Sequence, residues 1–470
     1  MVWTLLIAVC QLAGFLTSLR AIMDTRTPQG AIAWVFALNI FPYLSVPAYW
    51  VFGQSKFDGY VSLRREEIVR HKEEAIALAA ALEPYHLRIE ARHDETLLLE
   101  SLAKMPFTTN NRVELLIDGE ATFEAIFAAI AGAKDYVLVQ FYIIHEDDLG
   151  RRLRDALLAK AREGVRCYVL FDEVGSGNLS RLKSELDAGG VAMQPFDTTK
   201  GWTNRFQINF RNHRKIVLID GSLAFVGGHN VGDEYLGKNP KFGHWRDTHV
   251  EVEGPVVQCI QVSWLEDWQW ATDETPALNW KPQRAPEANS AALCLTSGPA
   301  DDLETATLFF LFAINSARER LWIASPYFVP DEQFISALQL AALRGVDVRI
   351  LIPDKPDNIL VWLSSFSYLQ QTMPVGIRWY RYRNGFMHQK VVLVDQDYCA
   401  IGTANFDNRS FRLNFEMTMG FADQVLARKV EAMLEADFVE SRQVRLEEYT
   451  EASWWFRLRV RFARLLAPVQ

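Results

Sequence analysis

Cysteine is scarce in this chain. Cys10, Cys167, Cys259, Cys294 and Cys399 are the only five in 470 residues, and no two form a Cys-x-x-Cys pair. That spacing argues against a disulfide frame or a cysteine-built zinc site and points to reduced thiols. Compact histidine ligand spacing is missing as well: His229, His244 and His249 form no His-Glu-x-x-His unit, so no metal or other cofactor is expected. Basic charge is in deficit, with 49 lysines and arginines against 58 acidic residues and a net charge of −9. Such a balance counts against a nonspecific nucleic-acid binder, which shows a basic excess or stripe. No low-complexity tract interrupts the chain, whose length suits two similar half-domains packed as one body.

Charge of either sign is missing from two stretches near the start. Residues 2 to 19, VWTLLIAVCQLAGFLTSL, carry none, and a membrane-spanning helix needs roughly 17 to 25 such residues. A polar stretch with Arg20, Asp24 and Arg26 follows, and residues 31 to 52 are again uncharged. The pair predicts a transmembrane helical hairpin over residues 1–53. A secretory signal peptide competes for the first run, which lacks the basic leading segment and small-residue cleavage site of such peptides. Pro42 and Pro47 leave a kinked or shallowly inserted second helix open. Lys56, Arg64, Arg65, Arg70 and Lys72 outnumber Arg20 and Arg26 of the hairpin loop, which favours the cytoplasmic side for everything downstream.

Against these absences stands one polar signature, present twice. HRKIVLID holds His213, Lys215 and Asp220, and HQKVVLVD holds His388, Lys390 and Asp395. Each is followed at the same offset by a small-residue turn ending in Asn, GGHN at Asn230 and GTAN at Asn405. Both copies run into four apolar β-formers, the pattern of a short strand buried on its far half. Period-two alternation sets His213 beside Lys215, and His388 beside Lys390, on one face. A neutral imidazole can attack phosphorus or move a proton near neutral pH, while a lysine and an Asn amide can hold phosphoryl charge. A lone His-x-Lys is usually a strand entering the core with a solvated edge. Duplication with matched Asn residues argues for phosphoryl transfer, because a structural repeat has no reason to retain His, Lys and Asn at fixed offsets.

The repeat extends upstream. VQFYII around Tyr142 matches ASPYFVP around Tyr327, and EGVRCYVLFDEVGSG matches RGVDVRILIPDKPDN, so each half predicts an α/β unit of strand, helix, strand and catalytic strand. Aligning the segments after the Asn turns sets Asp247 of WRDTHVEV opposite Glu416 of LNFEMTMGF.

These residues resemble the phospholipase D superfamily, whose hallmark is His-x-Lys-x4-Asp with a Gly/Ser-rich Asn turn. They are more closely similar to the bacterial cardiolipin synthases, through TNRFQINFRNHRKIVLIDG, GGHNVGDEYLG, WRDTHVEVEG and NFDNRSFRLNFE. The resemblance covers essentially the whole chain. It implies an α/β fold of two phospholipase D-like half-domains packed as a pseudo-twofold body, in a multi-pass protein of the bacterial inner membrane. It also implies a phosphatidyltransferase that turns two phosphatidylglycerols into cardiolipin and glycerol through a phosphatidyl-histidine, with no nucleic-acid partner. His213 would be the nucleophile, aligned by Asp247, and His388 the general acid, aligned by Glu416; which histidine attacks follows the family's arrangement and not the residues themselves. Lys215, Lys390, Asn230 and Asn405 would hold the phosphoryl oxygens in place of a metal. Asp220 and Asp395 are expected to support hydrogen bonds or the fold and not the chemistry. A phospholipase or nuclease would use the same residues with water as acceptor. A nonenzymatic scaffold is disfavoured because neither copy lacks a catalytic position.

Around this body, residues 62 to 82, SLRREEIVRHKEEAIALAAAL, predict a helix within a linker region 54–103 that stops at Pro84. The first half is expected over 104–271 and the second over 291–446, joined by 272–290 with Pro276, Pro282 and Pro286. A basic aromatic tail, 447–470, carries Trp454, Trp455, Arg457, Arg459, Arg461 and Arg464. It reads equally as a cap docked on the body and as a contact for anionic lipid.

Overall fold

A computed structural model of the chain describes residues 2–53, 56–57, 59–61, 72–88, 93–199 and 209–470. Residues 62–71, the first part of the expected linker helix with Arg64, Arg65 and Arg70, lie outside the described residues, as do 203–208 of TNRFQINF.

The first charge-free run is a single helix, α1 (Val2–Asp24), and it alone among the described helices is long and apolar enough to cross a membrane. The second run departs from expectation because it is not one helix. Thr27 caps α2 (Pro28–Ile40), its hydroxyl accepting from the Gly30 N–H at 3.1 Å, and Pro28 occupies the first turn, where a missing N–H costs nothing. Phe41 then leaves helical geometry (φ −130°, ψ 57°), and α3 (Pro42–Phe52) restarts the helix. The cause is local: a proline disfavours the α conformation for the residue before it. Both short helices pack along α1, with Ala21, Leu38 and Tyr49 fully buried together.

Beyond α3 the chain is fastened to the body by Phe57, which is buried against Phe210, Trp270 and Phe415 at ring-centroid distances of 5.4, 5.0 and 5.9 Å. Burying a side chain of that size stabilises by about 2–3 kcal/mol. The described part of the linker region holds helices Lys72–Leu82 and His93–Ala103.

The body is built on strands from both halves. The first contributes β1 (Thr108–Ile117), β2 (Tyr136–Phe141), β3 (Arg166–Asp172), β4 (Val191–Phe196), β5 (Arg211–Asn212), β6 (Ile216–Ile219), β7 (Leu223–Gly227), β8 (Trp245–Arg246) and β9 (Thr248–Glu253). The second contributes β10 (Ser290–Ser297), β11 (Arg320–Ala324), β12 (Phe328–Val329), β13 (Asp347–Pro353), β14 (Arg378–Tyr382), β15 (Phe386–Met387), β16 (Val391–Val394), β17 (Tyr398–Gly402), β18 (Phe406–Asp407), β19 (Asn414–Ala422) and β20 (Ser441–Gln443). Antiparallel β1 and β10 join the halves. From that seam, one side runs β9, β7, β6, β2, β3, β4 and the other β19, β17, β16, β11, β13, β14, with antiparallel β20 added at its outer edge. Corresponding strands therefore occupy corresponding places. Strands β2, β3 and β4 on one side and β11, β13 and β14 on the other are parallel, connected by crossover helices such as Asp148–Arg162 and Glu332–Leu343. Covered on both faces, they are nearly continuous apolar runs, as in YVLVQF and DVRILIP.

Three cores follow from this layering. One lies under the outer helices of the first half around Phe123, Leu153 and Val217, and one in the second half around Phe309, Leu338 and Trp379. The third joins the halves, combining Val250 and Val252 with Cys294, Met417 and Met419 and with the stacked pair Trp264 and Trp268. Between helix Val256–Thr272 and β10 no helix or strand forms. The tail forms helix Trp454–Leu465, which buries Val460 and Ala463 and leaves Trp454, Trp455, Phe462 and Leu465 exposed. Two of its arginines bond the body, Arg461 to Gln370 at 3.0 Å and Arg464 to Glu332 at 2.6 Å.

Two short pairings cross between the halves. In parallel register, β5 pairs with β19, Arg211 opposite Asn414, and β15 with β8, Phe386 opposite Trp245. Beside the second crossing the buried Arg246 guanidinium donates to both oxygens of Asp437, Nε at 2.7 Å and Nη2 at 2.8 Å, and Gln389 donates to the same carboxylate at 2.7 Å. Removing one partner of such a pair strands the other charge in the core. Asp437→Ala is expected to destabilise the protein by about 3–5 kcal/mol in chemical denaturation. A loss below about 0.5 kcal/mol, the size of an ordinary surface substitution, would mean the pair does not tie the halves together.

Candidate active site

The four apolar residues of each signature are the buried strands β6 and β16, and the histidine and lysine lie in the extended segment just before them. What fixes that segment is the opposite half. The His213 N–H donates to the Phe415 carbonyl at 2.9 Å, continuing the β5–β19 pairing, and the His388 N–H donates to the Arg246 carbonyl at 2.8 Å, continuing β15–β8. The side chains follow the backbone. His213 Nδ1 meets Glu416 at 2.9 and 3.0 Å, and His388 Nδ1 meets Asp247 at 2.8 Å. This overturns the expected pairing of His213 with Asp247 and of His388 with Glu416. Asp247 and Glu416 are the histidines' carboxylate partners, but each serves the histidine of the other half.

Both carboxylates are fully buried. Burial pushes the Glu416 carboxyl up, but His213, Lys215 and the Thr403 hydroxyl together outweigh it and hold it below its ordinary range. Burial acts likewise on Asp247, where His229, His388 and Lys390 prevail and hold it well below. The imidazoles move the opposite way from charged partners: burial lowers His213 to about 4, with Glu416 only partly compensating. Burial, then Lys390, lowers His388 to about 3. Charged carboxylates facing neutral imidazoles make each contact a donated Nδ1–H and not an ion pair, which leaves Nε2 with its lone pair free.

The lysines complete the cluster. Lys215 Nζ donates to the His213 carbonyl at 2.6 Å, and Lys390 Nζ lies 3.1 Å from His388 Nδ1 and donates to the His388 carbonyl. Burial lowers Lys215 to about 7 and Lys390 to about 8, against the pull of Glu416 and Asp247. Lys390 acts on His213 and Lys215 acts on His388, so the two signatures share one electrostatic site. An anion entering there would restore the lysines' charge, since an opposite charge favours the ionised form.

The remaining expected residues divide. The side-chain oxygen of buried Asn405 has no hydrogen-bond partner among the described residues. Asn230 is tied at both ends, its oxygen accepting from the Ile143 N–H at 3.1 Å and its nitrogen donating to Tyr235 at 3.2 Å. Asp220 and Asp395 sit in left-handed turns (φ 53° and 50°) at the far ends of β6 and β16. Asp220 accepts the N–H groups of Lys134, Asp135 and Tyr136 at 2.8–2.9 Å, and Asp395 those of Arg318, Glu319 and Arg320 at 2.8–3.1 Å. They therefore bind the start of β2 and of β11, away from the imidazoles. The small-residue turns also have a steric cause: a Cβ on Gly228 would lie 2.0 Å from an Asp247 oxygen.

Several supporting residues escaped the sequence reading. Thr403 and Asn414 donate to Glu416 at 2.5 and 3.1 Å, and Tyr142 lies edge-on to His213 with ring centroids 5.0 Å apart. Trp245 and Phe386 flank His388 at 5.2 and 6.1 Å. Beneath the first site, Asp267 accepts from Gln140, Asn212 and Arg214 at 2.7–2.8 Å and from Tyr60 at 2.8 Å. Their signal was available for Tyr142, which lies in the upstream repeat, but not for Asp267, whose partners are scattered along the chain. Among the described residues, no group of three or more His, Cys, Asp or Glu is arranged to hold a metal ion.

Two buried imidazoles, each with a lysine and a carboxylate, on paired α/β halves define a phospholipase D-like site. A family model described as "Cardiolipin synthase, PLD-like domain" matches residues 126–243 and 310–438, taking in both signatures. The chain is 49% identical over 471 residues to cardiolipin synthase A of Pseudomonas entomophila strain L48, covering 99% of this chain and 98% of that protein. It is 48% identical over 470 residues to the protein of the same name from Pseudomonas putida strain GB-1, with 99% and 98% covered. Among solved structures, phosphatidylserine synthase of Haemophilus influenzae Rd KW20 shares the fold at a TM-score of 0.60 and 16% identity, covering 80% of this chain and all of that one. The chain belongs to the cardiolipin synthase family of phospholipase D-like proteins.

The crossed pairing has a direct spectroscopic consequence. In 15N-histidine-labelled protein, Glu416→Gln is expected to shift the ring-nitrogen resonances of His213 and leave those of His388 nearly unchanged, and Asp247→Asn to do the reverse. The opposite assignment would restore the pairing within each half.

Proposed function

We propose that the protein is a membrane-anchored phosphatidyltransferase that joins two phosphatidylglycerol molecules into cardiolipin and releases glycerol. The observation that carries this reading is the pair of Nδ1-anchored imidazoles in one buried site, one able to attack phosphorus while the other manages the proton. Both are neutral near pH 7, which suits a nucleophile; the acid must take up its proton as the anionic phosphodiester enters.

In the first step Nε2 of His213 attacks phosphorus of one phosphatidylglycerol and the bond to the glycerol headgroup breaks. The departing oxygen takes its proton from His388, leaving a phosphatidyl group on His213. In the second step His388 removes a proton from a terminal hydroxyl of another phosphatidylglycerol, that oxygen attacks the same phosphorus, and the bond to His213 breaks. Cardiolipin leaves and both histidines return to their starting state. Lys215 and Lys390 hold the phosphoryl oxygens, aided by Asn405 and, after release from its present partners, Asn230. Asp247 and Glu416 fix the tautomers, while Asp220 and Asp395 serve the fold. The likeness to relatives named cardiolipin synthase A along nearly the whole chain supports a lipid acceptor over water.

The matching strand order on either side of the β1–β10 seam supports a pseudo-twofold relation between the halves. The apolar first 53 residues support anchorage in a bacterial inner membrane, and the bases after α3 favour a cytoplasmic body. The exposed Trp454 and Trp455 and the basic face of the final helix suit an anionic lipid surface while its other face docks on the body.

Purified protein given phosphatidylglycerol alone is expected to yield cardiolipin and glycerol in equal amounts. His213→Ala and His388→Ala are each expected to lower turnover by at least about 10²-fold, with the double variant little worse than either. Phosphatidic acid as the main product would make the protein a hydrolase, and substantial activity in either single variant would remove the two-histidine mechanism.

A further inference from the structure

We propose that α1 alone crosses the membrane and that α2 and α3 form a re-entrant pair, entering the leaflet next to the body, turning near the bilayer mid-plane at Phe41 and returning to the same face. The inference rests on the membrane reading above and replaces a two-span hairpin with one crossing and a wedge in a single lipid leaflet.

Length is the first argument. At 1.5 Å per residue, α1 with 23 residues extends about 34 Å, α2 with 13 about 20 Å and α3 with 11 about 16 Å. Hydrocarbon about 30 Å thick is within reach of α1 only. The attachments at the ends of the pair are the second. Before α2, Arg26 donates to Glu304 at 2.8 Å and lies 3.6 Å from Asp331. After α3, Lys56 donates to the Asp301 carbonyl and the Phe57 N–H to that of Pro299 at 3.2 Å. Both ends of the pair are thus held by one segment of the body, residues 299 to 304, and cannot lie on opposite faces of a bilayer.

The turn lies where a half-crossing requires it. A Cβ on Gly14 would lie 2.2 Å from the Leu38 carbonyl oxygen and 2.9 Å from Pro42 Cβ, so only glycine lets α1 touch the turn so closely. Gly14 is ten residues, about 15 Å, from the body end of α1, half the hydrocarbon thickness. Asn39 donates to the Ser18 hydroxyl at 2.8 Å close by. On the return, α3 descends along α1, bringing Trp50 beneath the Arg20 guanidinium at 4.9 Å.

A helix break at that depth is tolerated only if its backbone groups are satisfied internally. Here Pro42 has no N–H, the Phe41 N–H donates to the Ala37 carbonyl at 2.9 Å, and the Leu44 and Ser45 N–H groups donate to the Phe41 carbonyl at 3.1 and 3.0 Å. The Ser45 hydroxyl adds a second donor to Ala37 at 2.9 Å, and Asn39 one to Val35 at 2.7 Å. The outer surface is apolar and exposed at Phe36, Ile40, Phe41, Tyr43 and Leu44, and residues 27 to 55 carry no charge. Charge distribution agrees independently. A two-span hairpin would put Arg20 and Arg26 on the face opposite Lys56, whereas the re-entrant path gathers all three on the body side, as the positive-inside rule favours.

Site-directed labelling in membranes tests this on the full chain. Cys10 is replaced by Ser, the other four cysteines being buried, and single cysteines are placed at the exposed positions Val2, Gln29, Tyr43 and Val439. A membrane-impermeant maleimide is applied to spheroplasts and to inverted vesicles. Gln29→Cys and Val439→Cys are expected to react from the same face, Val2→Cys from the opposite face, and Tyr43→Cys from neither. Reaction of Gln29→Cys from the face opposite Val439→Cys, or of Tyr43→Cys as fast as Gln29→Cys, would overturn the re-entrant path. A chain that leaves the membrane in an alkaline carbonate wash, or reacts at all four positions from one face, would instead remove the membrane reading itself.

Discussion

The site depends on an exchange of short strands between the halves. Because β5 lies on β19 and β15 on β8, the residue after each short strand is the histidine of a signature, already hydrogen-bonded, through its backbone, to the opposite half. The nearest buried carboxylate is then the opposite half's, and the pairs His213–Glu416 and His388–Asp247 follow. Neither half contains a complete site. Pulling them apart would strip each imidazole of its acceptor, strand Arg246 without Asp437, and expose the apolar faces shared by Val252 and Met419. Stability and chemistry are coupled through one seam.

Much of this was legible in the sequence, because it lay in pattern. Repetition exposed the histidines, lysines and Asn turns, alternation gave the strands β6 and β16, and alignment singled out Asp247 and Glu416 as equivalent. Equivalence is not contact, however. Alignment compares a residue with its counterpart in the other repeat and says nothing about which histidine it touches, so the pairing came out reversed. At the N-terminus Pro42 and Pro47 left a kinked second helix open, but the absence of charge over residues 31 to 52 does not reveal where the helix stops, at Phe41, or that α3 restarts beyond it. Supports such as Asp267 and Phe57 bind residues far apart along the chain, and nothing in their local sequence marks them.

The halves are alike without being interchangeable. Where the first has His229 in its turn and His249 on β9, the second has Ala404 and Thr418. The two imidazoles are buried with their Nδ1 atoms 3.2 Å apart, and burial lowers both; beside them Asp247 accepts from the Thr248 N–H at 2.8 Å and from Trp245 Nε1 at 3.4 Å. On the other side Glu416 is held by Thr403 and Asn414. The carboxylates thus reach similar states by different means, and the histidine served by Asp247 is the one with a lysine at its Nδ1. That inequivalence suits the proposed transfer, in which one imidazole bonds to phosphorus and the other moves protons.

The crossed site is tested most directly by double-mutant cycles on unfolding free energy. His213→Ala is combined with Glu416→Gln in one cycle and with Asp247→Asn in another, with matching cycles for His388. Coupling of about 1–3 kcal/mol is expected for His213 with Glu416 and for His388 with Asp247, and additivity to within about 0.5 kcal/mol for the other two combinations. Strong coupling of His213 with Asp247, and additivity with Glu416, would contradict the exchange of strands on which the site is built.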